Sequence, residues 1–285
     1  MTGRRGEKGR TPRVAISPHL RVPLITLLTD FGTADYFVSS LKGVILSINP
    51  LARIVDITHD IPPQDIEAAA FTLLGACPSF PAGTIHVAVV DPTVGSSRRA
   101  ILIRTRDRFF VGPDNGIFSY VSDSRDEPAP QIFQLTNEQY FHRPVSPTFN
   151  GRDVFAPVAA ALSKGVKPED VGTQVSDPVR LPPLTPTTSG SGQINARVIH
   201  IDRFGNCVTN ITQKDLTTKM IADGAKLRVK GKLVKSFRKY FAEETRSHDR
   251  IFAVWGSAGF LEIVASNGSA AKLLKASRGD PVVVY

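Results

Sequence analysis

Short apolar runs alternate with helix-like segments through the first half of this sequence. The run VPLITLLTD (22–30) predicts a buried strand that ends in polar residues. The segment DYFVSSLKGVILSINP (35–50) has apolar residues at helical spacing and predicts a helix that stops at Asn-Pro. Because this alternation continues along the chain, the sequence favours an α/β fold with a mostly parallel sheet and helices on both faces.

The same patterns predict four more strands and two more helices in this part of the chain. The predicted strands span residues 52–59, 84–92, 100–106 and 108–115. The predicted helices span residues 65–80 and 154–165, and Asp65 is expected to be the N-cap of the first of them.

A change of composition divides the chain after residue 180. Residues 181–193 (LPPLTPTTSGSGQ) are rich in Pro, Thr, Ser and Gly, which is the composition of an exposed connector. Beyond them, short strand-like runs separated by turns predict a small β-barrel or sandwich. The sequence therefore predicts an α/β domain over 24–180, a linker over 181–193 and an all-β domain over 194–285.

The amino-terminal residues 1–23 carry much of the net charge of +9. They hold six basic residues against one acidic residue and lack the apolar core of a signal peptide. We expect a disordered basic tail, with contact to nucleic acid or to a membrane surface as the less favoured alternative. The rest of the chain is only mildly basic, so the charge does not by itself indicate a nucleic-acid-binding protein.

Composition and cysteine usage narrow the class of protein. Apolar residues make up 41% of the chain and charged residues 21%, as in globular proteins, and no apolar run approaches the roughly 18 residues of a membrane-spanning helix. Cys77 and Cys207 lie far apart, which excludes a disulfide framework and suits a reducing compartment. We therefore expect a cytoplasmic protein with no membrane partner.

Polar side chains follow several of the predicted strands, and ligands of open α/β sheets bind at these carboxyl ends. Asp30 follows the first strand, where its carboxylate can accept two hydrogen bonds from a ribose diol or cap the next helix. Asp35 can face an ammonium group or simply solvate the start of that helix. Asp91 and Arg98 are seven residues apart across a loop, so they can form an ion pair, within a site or merely within the loop.

Several common types of site are not indicated by the sequence. It has no GxGxxG or GxxxxGK[ST] loop for phosphate and no HExxH, paired-cysteine or clustered-histidine pattern for a metal. His59, His86, His142 and His200 are scattered, and we interpret them as structural residues.

The second domain contains one stretch that suits a purine, IDRFGNCVTNI (201–211). The ring of Phe204 can stack on a base, and the amide of Asn206 matches the donor and acceptor edge of adenine. The alternative is a turn with a buried Phe. Near the carboxyl end, Ser257 lies in a second polar, glycine-containing segment that can form a ligand-binding wall.

Taken in order, six motifs give a more specific indication. These motifs are TDFG…DYFVSSLKG, THDIPPQDI, VVDPTVGSSRR, PDNG, TFNGRDVFAP and RFGNCVTNI. Together they resemble the S-adenosylmethionine hydroxide adenosyltransferase family, the hydrolytic relatives of the fluorinase and chlorinase enzymes. The resemblance covers essentially residues 24–285 and leaves only the basic tail outside.

This resemblance implies an activity and an architecture. Such enzymes cleave S-adenosylmethionine with water to adenosine and methionine, and they need no metal or cofactor. They have an α/β amino-terminal domain and a β-barrel carboxyl-terminal domain. They are usually trimers that hold the ligand between the amino-terminal domain of one subunit and the barrel of the next.

The resemblance also implies roles for individual residues. Asp30 would bind the ribose hydroxyls and Asp35 would lie near the methionine end of the substrate. Phe204 and Asn206 would hold adenine, and Asn115 and Ser257 would be wall residues. Asp202 lies near a family carboxylate that meets the methionine amino group, in a loop one residue shorter here than in the fluorinase.

The family's hydrolases hold the attacking water with an Asp–Arg–His trio, and one member differs here. Asp91 and Arg98 match the first two positions, while Asn150 in TFNGRD stands where the hydrolases have His in TFHGRD. The amide of Asn150 can orient a water but cannot take a proton near pH 7. This difference leaves a second hypothesis, a module that binds S-adenosylmethionine with little or no turnover.

Two further alternatives are disfavoured by the sequence. A halide-using enzyme is not expected, because Asp91 replaces an uncharged residue of the halogenases and a dry halide pocket does not tolerate a nearby anion. A nucleic-acid binder would have to rely on the basic tail, and its affinity would then depend strongly on salt.

Overall fold

The computed structural model describes residues 23–122, 128–243 and 249–285. The predicted basic tail, except for its last residue, lies outside these ranges. Two β-sheets organise the described part of the chain, one in each half. Within these ranges, no helix combines the length and the apolar character needed to cross a membrane.

The described residues up to 175 contain a seven-stranded sheet and four α-helices. Its strands are β1 (Leu24–Thr29), β2 (Arg53–Thr58), β3 (Ile85–Val89), β4 (Ala100–Arg104), β5 (Phe109–Pro113), β6 (Gln131–Leu135) and β7 (Gly172–Val175). Its helices are α1 (Phe37–Ile48), α2 (Ile66–Ala76), α3 (Ser119–Ser122) and α4 (Ala156–Ser163). A π-helical turn over Gly151–Phe155 precedes α4.

The strands of the first sheet lie in the order β2-β1-β3-β5-β4-β6-β7. The first four of these are parallel, and the remaining pairings are antiparallel. The strand β4 runs against its neighbours because a turn of a few residues joins it to β5, and so short a connection can only reverse the chain. Most strands nevertheless share one direction, so the predicted mostly parallel sheet is confirmed.

Apolar residues fill both faces of this sheet. One cluster lies between the sheet and helices α1 and α4 and includes Leu41, Ile45 and Phe155. The cluster on the opposite face lies under α2 and α3 and includes Leu73 and Phe118. The helix α2 begins as expected, because the Asp65 carboxylate accepts a hydrogen bond of 2.9 Å from the Ala68 N–H. These layers form the predicted α/β domain.

The described residues from 187 onward form a nine-stranded mixed sheet. Its strands are β8 (Thr187–Thr188), β9 (Ile194–Ile201), β10 (Cys207–Thr212), β11 (Leu227–Val229), β12 (Lys232–Val234), β13 (Phe237–Arg238), β14 (Ile251–Trp255), β15 (Phe260–Ala265) and β16 (Pro281–Val284). Two short helices accompany them, α5 (Thr218–Ala222) and α6 (Ala270–Leu274).

This second sheet curls around its own apolar core. Its main path is β12-β11-β16-β9-β10-β15-β14-β13, and β8, which lies within the predicted linker, pairs with β9. The strand β12 at one end of the path approaches β14 near the other end, so the sheet is a half-barrel. Its enclosed core includes Val198, Ile211 and Leu261. The all-β character predicted for this domain is confirmed.

The two halves of the chain are joined through α2. Phe71 packs against Phe260 at a ring-centroid distance of 5.9 Å and stacks on His200 at 4.8 Å. At the amino-terminal end of α2, the Arg278 guanidinium donates to both carboxylate oxygens of Asp65 at 2.6–2.7 Å. The half-barrel is therefore fixed to the sheet domain by an apolar contact and an ion pair on the same helix.

Acid should destabilise the fold through His86, which is fully buried beside Phe110. Burial, with a smaller contribution from Arg108, lowers the pKa of His86 from its ordinary value of 6.5 to about 4. Between these values the unfolded chain binds the extra proton, so stability is lost as the pH falls from about 6.5 to about 4. We expect this single group to account for about 3 kcal/mol of that loss.

Urea unfolding at several pH values between about 7 and 4 measures this effect. The His86→Gln variant should show a distinctly shallower loss of unfolding free energy than the wild type across the window, whatever its stability at pH 7. Parallel curves for the two proteins would contradict the assignment to His86.

Candidate active site

A cavity of about 350 Å³ opens at the carboxyl ends of β1 and β3. Its walls come from the segment after β1, the segment after β3 and the residues that lead into the π-helical turn. Three predicted site residues line it: Asp30, Asp91 and Asn150. Because neighbouring parallel strands end at the same edge, segments far apart in sequence meet there.

Asp91 and Arg98 form a nearly buried ion pair at this cavity. Arg98 Nε lies 3.0 Å from Asp91 Oδ1, and Arg98 Nη2 donates to Asp91 Oδ2. The side chains are only 5% and 9% exposed, respectively. Such a two-pronged contact fixes the plane of the carboxylate as well as its position.

Asn150 belongs to the same hydrogen-bonded unit. Its Oδ1 accepts a hydrogen bond of 2.6 Å from Arg98 Nη2, and its Nδ2 donates to the backbone oxygen of Ser146 at 3.2 Å. Both ends of the amide are thus oriented, and one guanidinium holds a carboxylate and an amide together. This arrangement can orient a small polar molecule such as water, and the amide itself takes up no proton near pH 7.

A buried carboxylate fixes the backbone around Asn150. Asp153 is fully buried and accepts hydrogen bonds from the Arg152 guanidinium, from the Ser146 N–H at 2.8 Å and from His142 Nδ1 at 3.2 Å. Burial alone would raise the pKa of Asp153, but the bonds from Arg152 and Ser146 outweigh it and hold the pKa below its usual value. Asp153 therefore stays charged and clamps the turn that presents Asn150.

Asp30 lies on the opposite part of the wall and is held by the segment before α2. Its Oδ2 accepts a hydrogen bond of 2.8 Å from the Gln64 N–H. It does not cap α1, because that helix begins at Phe37 with Tyr36 as its N-cap. Asp35 is exposed just before α1 and is not part of the cavity wall.

Asn115 is engaged within the chain and does not line the cavity. Its Nδ2 donates to the Val90 backbone oxygen at 2.8 Å, and its Oδ1 accepts from the Ile117 N–H at 3.2 Å. It thereby ties the segment after β5 to the end of β3, next to Asp91.

The predicted residues of the second domain lie outside this cavity. Asp202 closes the turn between β9 and β10 by accepting from the N–H groups of Phe204 and Asn206 and from the Asn206 side chain, at 2.8–2.9 Å. Phe204 is 77% exposed, so the alternative of a buried turn Phe is wrong. Ser257 is exposed in the turn between β14 and β15.

Four more residues of the cavity wall were not predicted from the sequence. Gln64 lines the cavity in a left-handed conformation, with φ of 66°, which is uncommon for a residue other than glycine. Phe31, Phe37 and Phe149 form an aromatic side of the wall, with Phe37 and Phe149 5.2 Å apart between ring centroids. These residues lie in the motifs TDFG…DYFVSSLKG, THDIPPQDI and TFNGRDVFAP, which were the available signal; no pattern indicated the left-handed backbone of Gln64.

Acidic and sulfur-containing side chains do not gather into a metal site in the described ranges. No group of three or more His, Cys, Asp or Glu residues there has the arrangement needed to hold a metal ion.

Comparison with known proteins agrees with this geometry. Residues 25–172 match the S-adenosylmethionine hydroxide adenosyltransferase amino-terminal domain, and residues 196–283 match the carboxyl-terminal domain of the same family. The chain belongs to this family. The two matched segments correspond to the sheet domain with the cavity and to the half-barrel, so the resemblance seen in the sequence is confirmed.

Individual relatives cover nearly the whole chain. A protein of Methanocaldococcus jannaschii named (R)-S-adenosyl-L-methionine hydrolase is 39% identical, covering 92% of this chain and 96% of the relative. A fluorinase of Actinoplanes sp. is 28% identical and covers 73% of this chain and 78% of its own. The crystal structure of an uncharacterized conserved protein from Thermotoga maritima superposes with a TM-score of 0.82, at 36% identity and with 91% and 99% of the two chains covered.

A side chain at Gly95, in the loop between Asp91 and Arg98, should lower the stability of the protein. This residue has φ of 81°, and a Cβ there would overlap the backbone oxygen of Pro147, three residues before Asn150. Gly165 has a similar φ of 93°, but a Cβ there would meet no atom within 4 Å. It therefore provides a matched control for the conformational cost alone.

We expect Gly165→Ala to lower the unfolding free energy by about 1 kcal/mol, through its left-handed conformation. Gly95→Ala should lose about 1–3 kcal/mol more, because the overlap adds an overpacking cost. Urea unfolding of the two variants measures the difference. Equal losses would show that the loop does not pack tightly against the segment that presents Asn150.

Proposed function

We propose that this protein hydrolyses S-adenosyl-L-methionine to adenosine and L-methionine. The observation that carries the proposal is the unit in which Arg98 fixes Asp91 and Asn150 on the wall of the cavity. The name of the M. jannaschii relative supports the same substrate and reaction.

The reaction needs little beyond an aligned water molecule. Its oxygen bonds to the ribose C5′ while the C5′–S bond breaks, and the electron pair leaves with sulfur as the neutral thioether of methionine. No general acid, metal or cofactor is required for such a leaving group. The protein has to hold the water in line with the breaking bond, since positioning alone lowers the barrier strongly.

Asp91 and Asn150 divide this task. Asp91, oriented by Arg98, accepts a hydrogen bond from the attacking water and is the nearby base for its proton as the bond to carbon forms. Asn150 orients the water through its amide, whose own direction is set by Arg98 and the Ser146 carbonyl. Because an amide takes up no proton near pH 7, proton transfer in this protein depends on Asp91 and on bulk water.

Asp30 and Asp35 are proposed to bind the rest of the substrate from the same domain. The Asp30 carboxylate lies on the cavity wall and is held by Gln64, which favours its role as acceptor for the ribose hydroxyls. Asp35 is proposed to meet the methionine end, and Asn115 is proposed as a wall residue that also supports the end of β3.

The remaining binding residues are proposed to come from a second subunit of a homotrimer. Phe204 is largely exposed and lies outside the cavity of its own chain, as a ring that stacks on adenine across an interface would be. The turn that carries Phe204 also carries Asp202 and Asn206, and the turn between β14 and β15 carries Ser257. These three residues are proposed to complete the part of the site that the second subunit supplies.

We also propose that the enzyme is cytoplasmic, because its two cysteines are buried, unpaired and far apart in the sequence.

The test is to incubate the purified protein separately with the R and S sulfonium epimers of S-adenosylmethionine and to analyse the products by chromatography. We expect adenosine and methionine in equal amounts, with the R epimer preferred. Asp91→Asn should abolish most of this activity, whereas Asp177→Asn, which removes an exposed carboxylate paired with Arg99, should not. Binding of either epimer without products would establish the alternative, a binding module that has lost turnover.

Restoring the family histidine should accelerate the reaction. Asn150→His places an imidazole beside Asp91 and Arg98, where it can take up a proton near neutral pH. Positioned acid–base groups give about 10²–10⁴ in rate, but Asn150 already orients the water, so we expect roughly tenfold to a hundredfold. The gain should appear in kcat with little change in binding, and it should follow a single titration near neutrality.

Steady-state kinetics of the wild type and Asn150→His between about pH 6 and pH 9 measure this prediction. Equal kcat values across that range, for a folded variant that binds substrate, would show that this position takes no part in proton transfer.

If each site takes residues from two subunits, two variants that are inactive alone should form active sites in mixed trimers. Asp30→Ala removes charge-assisted hydrogen bonds worth about 1.5–3 kcal/mol each, and Phe204→Ala removes stacking worth about 1–3 kcal/mol, so each variant alone should bind poorly. In randomly mixed trimers, about one site in four combines an intact Asp30 with an intact Phe204.

Activity should therefore reappear when the two variants are unfolded together and refolded as a mixture, but not when each is refolded alone. A mixture as inactive as its components would place both residues in the site of one chain.

A further inference from the structure

Two threonines of β1, three residues apart, each pair with a buried histidine from another part of the chain. Thr26 Oγ1 is 2.7 Å from His86 Nδ1, and Thr29 Oγ1 is 2.8 Å from His59 Nδ1. Both threonines are fully buried, and both histidines are almost or fully buried. Each pair joins a threonine hydroxyl to a histidine Nδ1, and the two pairs differ in their position and in what surrounds them.

The position of Thr29 distinguishes the two pairs. Thr29 is the last residue of β1, and its Oγ1 also accepts a hydrogen bond of 3.2 Å from the Phe31 N–H. The backbone oxygen of His59 accepts a second bond, of 2.8 Å, from the Gly32 N–H. His59 is thus linked to both ends of the Asp30–Gly32 loop, through its side chain at one end and its backbone at the other.

A carboxylate supports the other side of the His59 ring. His59 Nε2 lies 3.1 Å from Asp56 Oδ1, and Asp56 Oδ2 pairs with Lys42 Nζ at 2.6 Å. When the ring proton is on Nε2, on the side of Asp56, the Nδ1 atom accepts a hydrogen bond from the Thr29 hydroxyl. The Thr29 oxygen then keeps its lone pairs for the Phe31 N–H, so the donor and acceptor roles at Thr29 are consistent.

The Asp30–Gly32 loop is part of the cavity wall. It carries Asp30 and Phe31, both of which line the cavity, and the Asp30 carboxylate is held from a third direction by the Gln64 N–H. Fixing the loop before substrate arrives reduces the ordering cost of binding.

We propose that His59 is a positioning residue for substrate binding, which with Thr29 and Asp56 fixes the Asp30–Gly32 loop. This inference rests on the proposed function for its kinetic consequence. It adds to the Asp91–Arg98–Asn150 unit a second, separate support that acts on binding and not on the attacking water.

The decisive variant is Thr29→Val, which removes the hydroxyl at nearly constant volume, with Thr26→Val as the matched control. Both changes leave a buried histidine nitrogen without its hydroxyl partner, so both should lose stability. Only Thr29→Val should raise KM, on the order of tenfold, with kcat within about twofold of the wild type. Thr26→Val should leave both constants near their wild-type values.

Coupling between the two residues provides a second measurement. His59→Gln should raise KM as Thr29→Val does, and the double variant should be no worse than either single variant, because all three break the same chain of contacts. Additive effects on KM, a fall in kcat in place of a rise in KM, or equal KM values for Thr29→Val and Thr26→Val would overturn the proposal.

Amide hydrogen exchange separates this inference from the proposed function. In Thr29→Val, exchange at the Phe31 and Gly32 amides should accelerate at least tenfold relative to Thr26→Val, while exchange in α4 stays the same in both. Unchanged protection of the two amides would refute the role of His59 in fixing the Asp30–Gly32 loop, even if the enzyme is active. A wild type that neither binds nor hydrolyses the substrate would refute the proposed function but not accelerated exchange at the loop.

Discussion

The site depends on the guanidinium group of Arg98. It binds the Asp91 carboxylate with two nitrogens, donates to the Asn150 amide, and lies 5.5 Å from the centre of the Phe155 ring. Removing one partner of a buried ion pair costs about 3–5 kcal/mol, because the remaining charge is left uncompensated. Arg98 therefore couples the stability of two distant segments to the alignment of the two groups that are proposed to hold the attacking water.

The fold supports this interaction from several directions. The end of β3 supplies Asp91, and the buried Asp153 carboxylate fixes the turn that presents Asn150. Asp65 links the wall to the second domain, since it caps α2, follows the cavity residue Gln64 and pairs with Arg278 of the half-barrel. The contact with the half-barrel thus lies next in the chain to the residue whose N–H holds Asp30.

The parts that the sequence predicted are those with local or short-range causes. The Asp65 cap, the Asp91–Arg98 pair and the first five strands follow from periodicity, capping chemistry and loop length. The strands β6 and β7 were not predicted, because their polar residues give no apolar run. Two other features arise only from tertiary packing, so no sequence pattern predicted them. They are the left-handed backbone of Gln64 and the contacts of His59 with both ends of the Asp30–Gly32 loop.

In the proposed mechanism, water held by Asp91 and Asn150 attacks the ribose C5′. The most direct test of this mechanism is hydrolysis of S-adenosylmethionine in ¹⁸O-labelled water, followed by mass spectrometry of both products. We expect one ¹⁸O atom in the 5′-hydroxyl of adenosine and none in methionine, and we expect Asp91→Asn to lose this incorporation together with turnover. Unlabelled adenosine, or label in the methionine fragment, would contradict attack at C5′ and with it the role assigned to the Arg98 unit.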